Sequence, residues 1–562
     1  MKKFLRDTWS LITPYWRSQE KYFAGLLLFS IIALNLGEVY INVRLNKWNN
    51  EFYNSLQELD KDAFLAALVT FTWLAVSFIA VVVYKTYLNQ MLQIRWRRWL
   101  TNHYVARWLD RQNYYRMKLV GQPADNPDQR ISEDIGDFIR LTLGLSLELL
   151  SSVVTLFSFL FILWNLSGTL SIPLGQYGDF TVYGYMVWVA LLYAAAGTWI
   201  TMVLGKPLIQ LNFDQQRYEA DFRFALVRLR ENSESIALYK GEAQEQENFR
   251  DRFSRIFTNY WAIMKRQKKL TWFTSGYYQV ANIFPILVAA PRFFSKQIQL
   301  GGLMQTASAF GQVQSSLSYI IGAYSTIAVW KAVVDRLIGF VEHIQNADAL
   351  KDEMNVLERD ETSQHALSVS NLTLNLPDGT TLQRDISFAV EQGDSLLISG
   401  PSGCGKSTLL RALAGIWPYA QGHVVIPAQS SVLFLPQTPY MRLGTLREAL
   451  YYPYDAAADD KDLSSILALC NIGHLESRLE ETENWTQILS PGERQRLAFA
   501  GLLLNKPDMV FLDEATSALD EEMELRLYTL LKERLPRTTY ISVGHRSTLK
   551  SLHNKSLILK NA

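Results

Sequence analysis

The stretch Gly400-Pro401-Ser402-Gly403-Cys404-Gly405-Lys406-Ser407-Thr408 decides how this chain is read. The apolar run Ser395-Leu396-Leu397-Ile398-Ser399 before it reads as a buried strand. The run Leu409-Leu410-Arg411-Ala412-Leu413-Ala414 after it is made of good helix formers. Strand, glycine-rich loop and helix together bind a polyphosphate. Loop N–H groups wrap the phosphates and the helix N-terminus adds its positive end. Lys406 is placed to reach the β- and γ-phosphates, and the Ser407 hydroxyl to ligate Mg²⁺. ATP and Mg²⁺ are the expected cofactors.

The rest of the chain shows what that loop drives. Its 562 residues carry a net charge of +1, so no basic field points to nucleic acid as a partner. Apolar residues make up 49% and are unevenly spread. The first half holds six runs long enough to cross a bilayer, near 22–44, 63–88, 141–165, 181–204, 270–294 and 303–333. Basic residues crowd the connections between runs two and three (Arg95 to Arg130) and between four and five (Lys206 to Lys265). The connection between three and four, Leu166 to Phe180, has none. The positive-inside rule puts the two basic connections, the N-terminus and everything after run six in the cytoplasm. Two cysteines, Cys404 and Cys470, suit a reducing compartment without disulfides.

The two basic connections are far longer than ordinary loops, and their helical spacing of apolar residues predicts membrane helices continuing into the cytoplasm. Turn signals sit at Gly121-Gln122-Pro123 and around Asn212-Phe213-Asp214. Such tips are placed to touch the ATPase half. Within the first run, Glu38 stands beside Asn35 and Asn42. An ionisable residue there either lines a polar pathway or pairs with another helix.

A charged, poorly patterned stretch over 344–365 reads as a linker between a membrane domain (1–343) and an α/β domain (366–562). Downstream of the phosphate loop come four further pieces. Gln437 follows Val432-Leu433-Phe434-Leu435 and can ligate Mg²⁺. Leu489-Ser490-Pro491-Gly492-Glu493 opens a helix with an anion-binding end. Met509–Leu512 leads into Asp513, placed to hold Mg²⁺, and Glu514, placed to polarise the attacking water. His545 follows the strand Thr539–Val543 and can reach the γ-phosphate.

Each piece alone is a weak signal, but in this order they resemble the ATP-binding cassette (ABC) family. Gly400–Ser407 resembles Walker A, Gln437 the Q-loop, and Leu489–Glu493 the signature motif. Asp513-Glu514 resembles Walker B with its catalytic Glu, Ser517-Ala518-Leu519-Asp520 the D-loop, and His545 the H-loop. One departure is that the aromatic expected to stack on adenine is replaced by Asn375-Leu376-Pro377. Tyr440 is the candidate substitute. In that family ATP lies between Walker A of one cassette and the signature motif of a second, so one cassette and six spans imply a homodimer with two composite sites.

In the membrane half, Asn126–Ile131, Arg230–Glu242 and Pro291–Phe310 resemble subfamily D, which includes peroxisomal half-transporters for fatty acyl-CoA and bacterial cobalamin transporters. Arg44–Tyr53 is similar to the SbmA/BacA peptide-uptake proteins. The resemblance implies an all-α six-helix transmembrane domain followed by an α/β P-loop ATPase. It implies ATP-driven movement of a peptide-like or cobalamin-like solute across a bacterial inner membrane. The alternatives are an acyl-CoA or lipid transporter, and a gated channel or regulator. A soluble ABC ATPase acting on RNA is excluded by the six apolar runs.

Overall fold

The computed structural model describes residues 2–119, 126–173, 179–353, 357–360, 366–455 and 462–560. They divide into two compact units. One comprises residues 1–106 and 126–341, the other 107–125 and 342–562.

The first unit is helical. After α1 (Lys2–Trp16) come α2 (Lys21–Gln57), α3 (Lys61–Leu109), α4 (Ile135–Ser167), α5 (Tyr185–Glu231), α6 (Glu242–Phe294) and α7 (Leu300–Glu353). Six long helices therefore carry the six predicted runs, save that the first residues of the fourth, 181–183, end a strand. Four, those of α2 to α5, are long and apolar enough among the described residues to cross a membrane. α6 dilutes its apolar run with Gln279, Asn282 and Arg292, and α7 with Gly, Ser and Gln. Trp73, Val76, Ile79 and Val83 on α3 are exposed, as side chains that meet lipid should be. The basic-free connection forms an antiparallel hairpin of β1 (Thr169–Pro173) and β2 (Asp179–Tyr183).

The turn expected around Asn212-Phe213-Asp214 is not there. α5 runs unbroken through it to Glu231. The reason is tertiary: the Asn259 amide of α6 donates to the Leu211 carbonyl and to Gln215 Oε1, both at 2.9 Å, so the packed neighbour overrides the local turn preference. The chain reverses further on, through the short helix Ser233–Tyr239 and a left-handed Lys240 before Gly241. The other expected tip, Gly121-Gln122-Pro123, lies outside the described residues.

Helix contacts in this unit include buried polar bonds. Asp134 is held by Arg130 one turn earlier and by Arg336 of α7 at 2.6 and 3.0 Å. Asn46, Asn50 and Asn54, spaced four apart on α2, form a ladder against the start of α7. Asn50 donates to Gln305 Oε1 at 2.6 Å, Asn46 exchanges bonds with Gln305, and Asn54 accepts from the Gly301 N–H. Gly301 has no room for a Cβ, which would fall on the Asn50 carbonyl.

In the second unit, β6 (Ser395–Ser399), β8 (Val432–Leu435), β9 (Met509–Asp513), β10 (Thr539–Val543) and β11 (Lys555–Ile558) make a parallel sheet in the order β11-β6-β10-β9-β8. β3 (Leu357–Asp360), β4 (Leu367–Asn375), β5 (Thr381–Val390) and β7 (Ala420–Pro427) make a second sheet, ordered β3-β7-β4-β5. β6 is buried along four residues and β10 along all five, as a parallel strand covered on both faces requires. One core lies around Leu409, Leu413 and Phe511, and a second around Leu446, Leu497 and Leu512. Leu119, on the segment between α3 and α4, packs on the first, and its carbonyl accepts from Tyr419 at 3.0 Å. α7 continues ten residues into the stretch read as linker, where Asp348 accepts from Asn113 at 2.9 Å.

Beneath the sheet, His553 Nδ1 faces the Leu549 carbonyl at 2.7 Å and so carries the ring proton. Nε2 accepts from the Ser542 hydroxyl at 2.8 Å, which is itself bonded to Tyr528. Burial lowers the His553 pKa. The folded chain holds this ring neutral, whereas the unfolded chain takes up a proton near pH ~6.5. The stability it contributes is present above that value and is lost as pH falls through the lower folded value. The thermal midpoint of the purified protein should therefore drop between pH 7.5 and 5 more steeply than that of H553Q. Parallel profiles would remove His553 from the account.

Candidate functional site

The parallel register sets the site. Asp513 pairs with Val543 and Leu512 with Leu435, so β8, β9 and β10 end level. Residues just past those ends must meet at the carboxyl edge, where open α/β sheets bind ligands.

The phosphate loop leaves β6 and enters α8 (Lys406–Leu413). Gly405 caps that helix with φ 97°, a conformation a side chain would strain. Gly400 lies so close to the Leu559 carbonyl that a Cβ would sit 2.5 Å from it. Buried Cys404 offers its carbonyl to Gln383 at 2.9 Å. Lys406 Nζ curls back onto the carbonyls of Gly400 and Pro401 at 3.0 and 2.8 Å. Those two bonds hold the ammonium against the loop, where it can meet a polyphosphate.

The structure brings together Ser407, Asp513, Glu514, Gln437 and His545. Ser407 Oγ donates to Asp513 Oδ1 at 3.2 Å, and Gln437 Nε2 donates to Glu514 Oε2 at 3.2 Å. His545 Nδ1 lies 3.7 Å from Glu514 Oε1. Burial, together with the adjacent Glu514 charge, pushes the Asp513 carboxyl above the usual carboxylate range, against the hydrogen bond from Ser407. A half-buried carboxylate destabilised in this way beside a hydroxyl is a pair of oxygen ligands whose strain a hard divalent cation would relieve, so Mg²⁺ fits Ser407 and Asp513.

Glu514 has φ 48°, left-handed for a residue with no glycine freedom, and its N–H bonds to Val543 O at 3.1 Å. Such strain costs ~1–3 kcal/mol and persists where the surroundings impose it. It turns the carboxylate out of the strand direction, towards Gln437 and His545.

Leu489–Glu493 forms a separate constellation. Ser490 caps the helix Pro491–Asn505, accepting from the Glu493 N–H at 3.3 Å, while Glu493 accepts from the Ser490 N–H at 2.9 Å. The Ser490 bonds hold the Glu493 carboxyl below its ordinary range. Gly492 lies beside Ala518 and Leu519, and Asp520 caps the next helix through the Met523 N–H at 2.7 Å. Thr408 lies inside α8 and Pro401 and Ser402 in the exposed loop. Tyr440 is exposed, its ring edge-on to Tyr452 at 5.4 Å.

Two partners were missed in the sequence. Glu38 is ion-paired with Lys85 of α3. A lysine inside an apolar run was the available signal, overlooked because the run was read for hydropathy alone. Gln383, which holds the Cys404 carbonyl, sits in no motif and had no signal.

Residues 10–294 match the family model described as ABC transporter transmembrane region 2, and residues 383–517 match that described as ABC transporter. The chain is 37% identical to the inner membrane ABC transporter ATP-binding protein YddA of Escherichia coli, over 95% of this chain and 94% of that one. It is 35% identical to the chloroplastic ABC transporter D family member 2 of Arabidopsis thaliana, over 100% and 87%. It is 27% identical to the human lysosomal cobalamin transporter ABCD4, over 100% and 94%. Its fold matches a bacterial Atm1-family ABC exporter with ATP bound at TM-score 0.70 and 17% identity, covering 95% and 94%. With both halves matched and identity sustained along the length, the chain belongs to the ABC transporter family, as a membrane-bound half-transporter of the D type that binds ATP, couples its hydrolysis to transport and works as a dimer.

Proposed function

We propose that two copies of this chain form a homodimer that uses ATP to carry a hydrophilic or amphipathic solute, of peptide or cobalamin-like class, across a bacterial inner membrane. The observation that carries the ATPase part is the convergence of Gln437, Glu514 and His545 beside Ser407 and Asp513. In this reading Gly400–Thr408 cradles the phosphates, and Ser407, Gln437 and Asp513 hold Mg²⁺, which screens charge on the transferring phosphoryl group. Glu514 accepts the proton of the attacking water and His545 contacts the γ-phosphate. Leu489–Glu493 and Asp520 serve the nucleotide held by the other copy.

The solute class is supported by the partly open Glu38–Lys85 ion pair of the membrane unit and by the resemblance to the cobalamin transporter named above. The inner-membrane placement is supported by the name of the Escherichia coli relative. Glu38 and Lys85 keep about a fifth and a quarter of their side chains exposed, so the pair is not closed off by its neighbours.

Three measurements bear on this reading. E514Q should bind ATP like the wild type and lose hydrolysis by about 10²-fold or more, the scale of a general base; full turnover by that variant sinks the assignment. K406A and S490R should each be inactive, while chains mixed before reconstitution should recover partial ATPase activity. A mixture as inactive as its components speaks against composite sites. In proteoliposomes offered cobalamin, a proline-rich peptide and an acyl-CoA, ATP-dependent movement should be seen for one of the first two. Movement of acyl-CoA alone overturns the solute class.

A further inference from the structure

Gln495 lies on the helix Pro491–Asn505 and is 3% exposed. Its Nε2 donates to the backbone carbonyl of Gln437 at 2.9 Å and to the Ser517 hydroxyl at 3.2 Å. Its Oε1 accepts from the Ala518 N–H at 2.9 Å. One carboxamide thus bonds two loops that lie 58 and 22 residues away in sequence. The Ser517–Asp520 loop is held from its other side by Arg546, the residue after His545. Arg546 donates to the Leu519 carbonyl at 2.8 Å and to the Ser517 carbonyl at 3.2 Å. Arg546 also lies 3.5 Å from Glu524, whose buried carboxylate accepts from Thr516 and Thr548 at 2.6 Å each.

We infer that Gln495 is a positioning residue for ATP hydrolysis, fixing the Gln437 loop and the Ser517–Asp520 loop in one register with the helix that begins at Ser490. The argument rests on the roles proposed for Gln437 and Glu514. Gln437 reaches the Glu514 carboxylate with its side chain and is anchored through its own carbonyl by Gln495. A shift of that carbonyl therefore re-aims the amide that orients the Glu514 carboxylate. The same carboxamide sets the height of Ala518, against which Gly492 of the signature stretch rests. Movement at the Gln437 loop is thereby passed to Ser490–Glu493 and, through Ser517 and Arg546, to the segment bearing His545. A glutamine suits the position because it offers two donors and an acceptor without charge. A carboxylate there would face the Gln437 carbonyl oxygen with nothing to donate.

The test uses the full-length transporter purified in lipid nanodiscs. Q495M keeps the length of the side chain and removes all three bonds. It should lower kcat by about tenfold or more, since small misplacements at a reacting centre cost that much or more, and leave KM for ATP within about twofold. Deuterium exchange should speed up in peptides covering 436–441 and 515–520 and stay unchanged over 398–412. Q495E can still accept from Ala518 and from the Ser517 hydroxyl but cannot donate to Gln437, so exchange should rise at 436–441 only, with kcat between wild type and Q495M. A kcat within about twofold of wild type for Q495M overturns the inference. So does a fall in kcat matched by KM and by exchange over 398–412, the pattern of general loosening. If Q495M does not accumulate, S517A removes one bond alone, and an unchanged kcat there counts equally against it. Normal hydrolysis by E514Q would defeat the underlying reading of the site. An inactive E514Q beside an unimpaired Q495M defeats the positioning role alone.

Discussion

Two carboxylates side by side at the end of β9 are the constraint on which the cassette depends. Asp513 and Glu514 cannot both be buried and charged without compensation, and the fold compensates them in different ways. Asp513 stays in the strand, half-buried, opposite the Ser407 hydroxyl. Glu514 is turned aside by a left-handed backbone, secured through the Val543 carbonyl, to meet Gln437 and His545. Like charges on neighbouring residues would otherwise be aimed together. The strand register separates them and delivers to each a different set of partners.

That separation depends on the cores beneath. β9 can end level with β8 and β10 because its residues are buried on both faces, with Phe511 stacked on Phe434 at 4.3 Å on one side and Leu512 in the helical core on the other. A slip of one residue would exchange those faces and carry the carboxylates with them. The site's geometry is therefore specified by side chains that never approach the nucleotide. Buried Cys470 belongs to the same core, and burial raises its thiol to about 12, making it a packing group and not a reactive one.

Most of the cassette was legible because its signals are local. A glycine loop between strand and helix, a serine two residues before Gly492, and carboxylates after an apolar run each state a backbone need within a few residues. What was not legible depends on distant partners. Nothing in the sequence around Gln495 tells that its amide spans two loops, and nothing around Glu514 tells that its backbone is left-handed. The membrane unit shows the same limit from the other side. Asn212-Phe213-Asp214 has the composition of a turn, yet α5 continues because Asn259 and Gln215 tie it to α6. The reversal falls at Lys240-Gly241, where a left-handed residue before a glycine ends the short helix.

The polar residues of the first long helix illustrate how burial divides similar side chains into different roles. Asn35 is 2% exposed and donates to the Leu147 carbonyl of α4, so it serves helix contact. Asn46, Asn50 and Asn54 are spent on the opening turns of α7, where Gly301 allows the backbones to touch. Polar groups closed off in this way cannot exchange their partners for a cargo. Glu38 and Lys85 differ, because each compensates the other's charge while part of both side chains stays open. An ion pair of that kind can be pulled apart by a solute carrying its own charge or dipole, at a cost well below that of uncovering a lone carboxylate. Glu38 with its partner Lys85 is thus a charged pair left partly open, beside an asparagine ladder whose partners are fixed within the bundle.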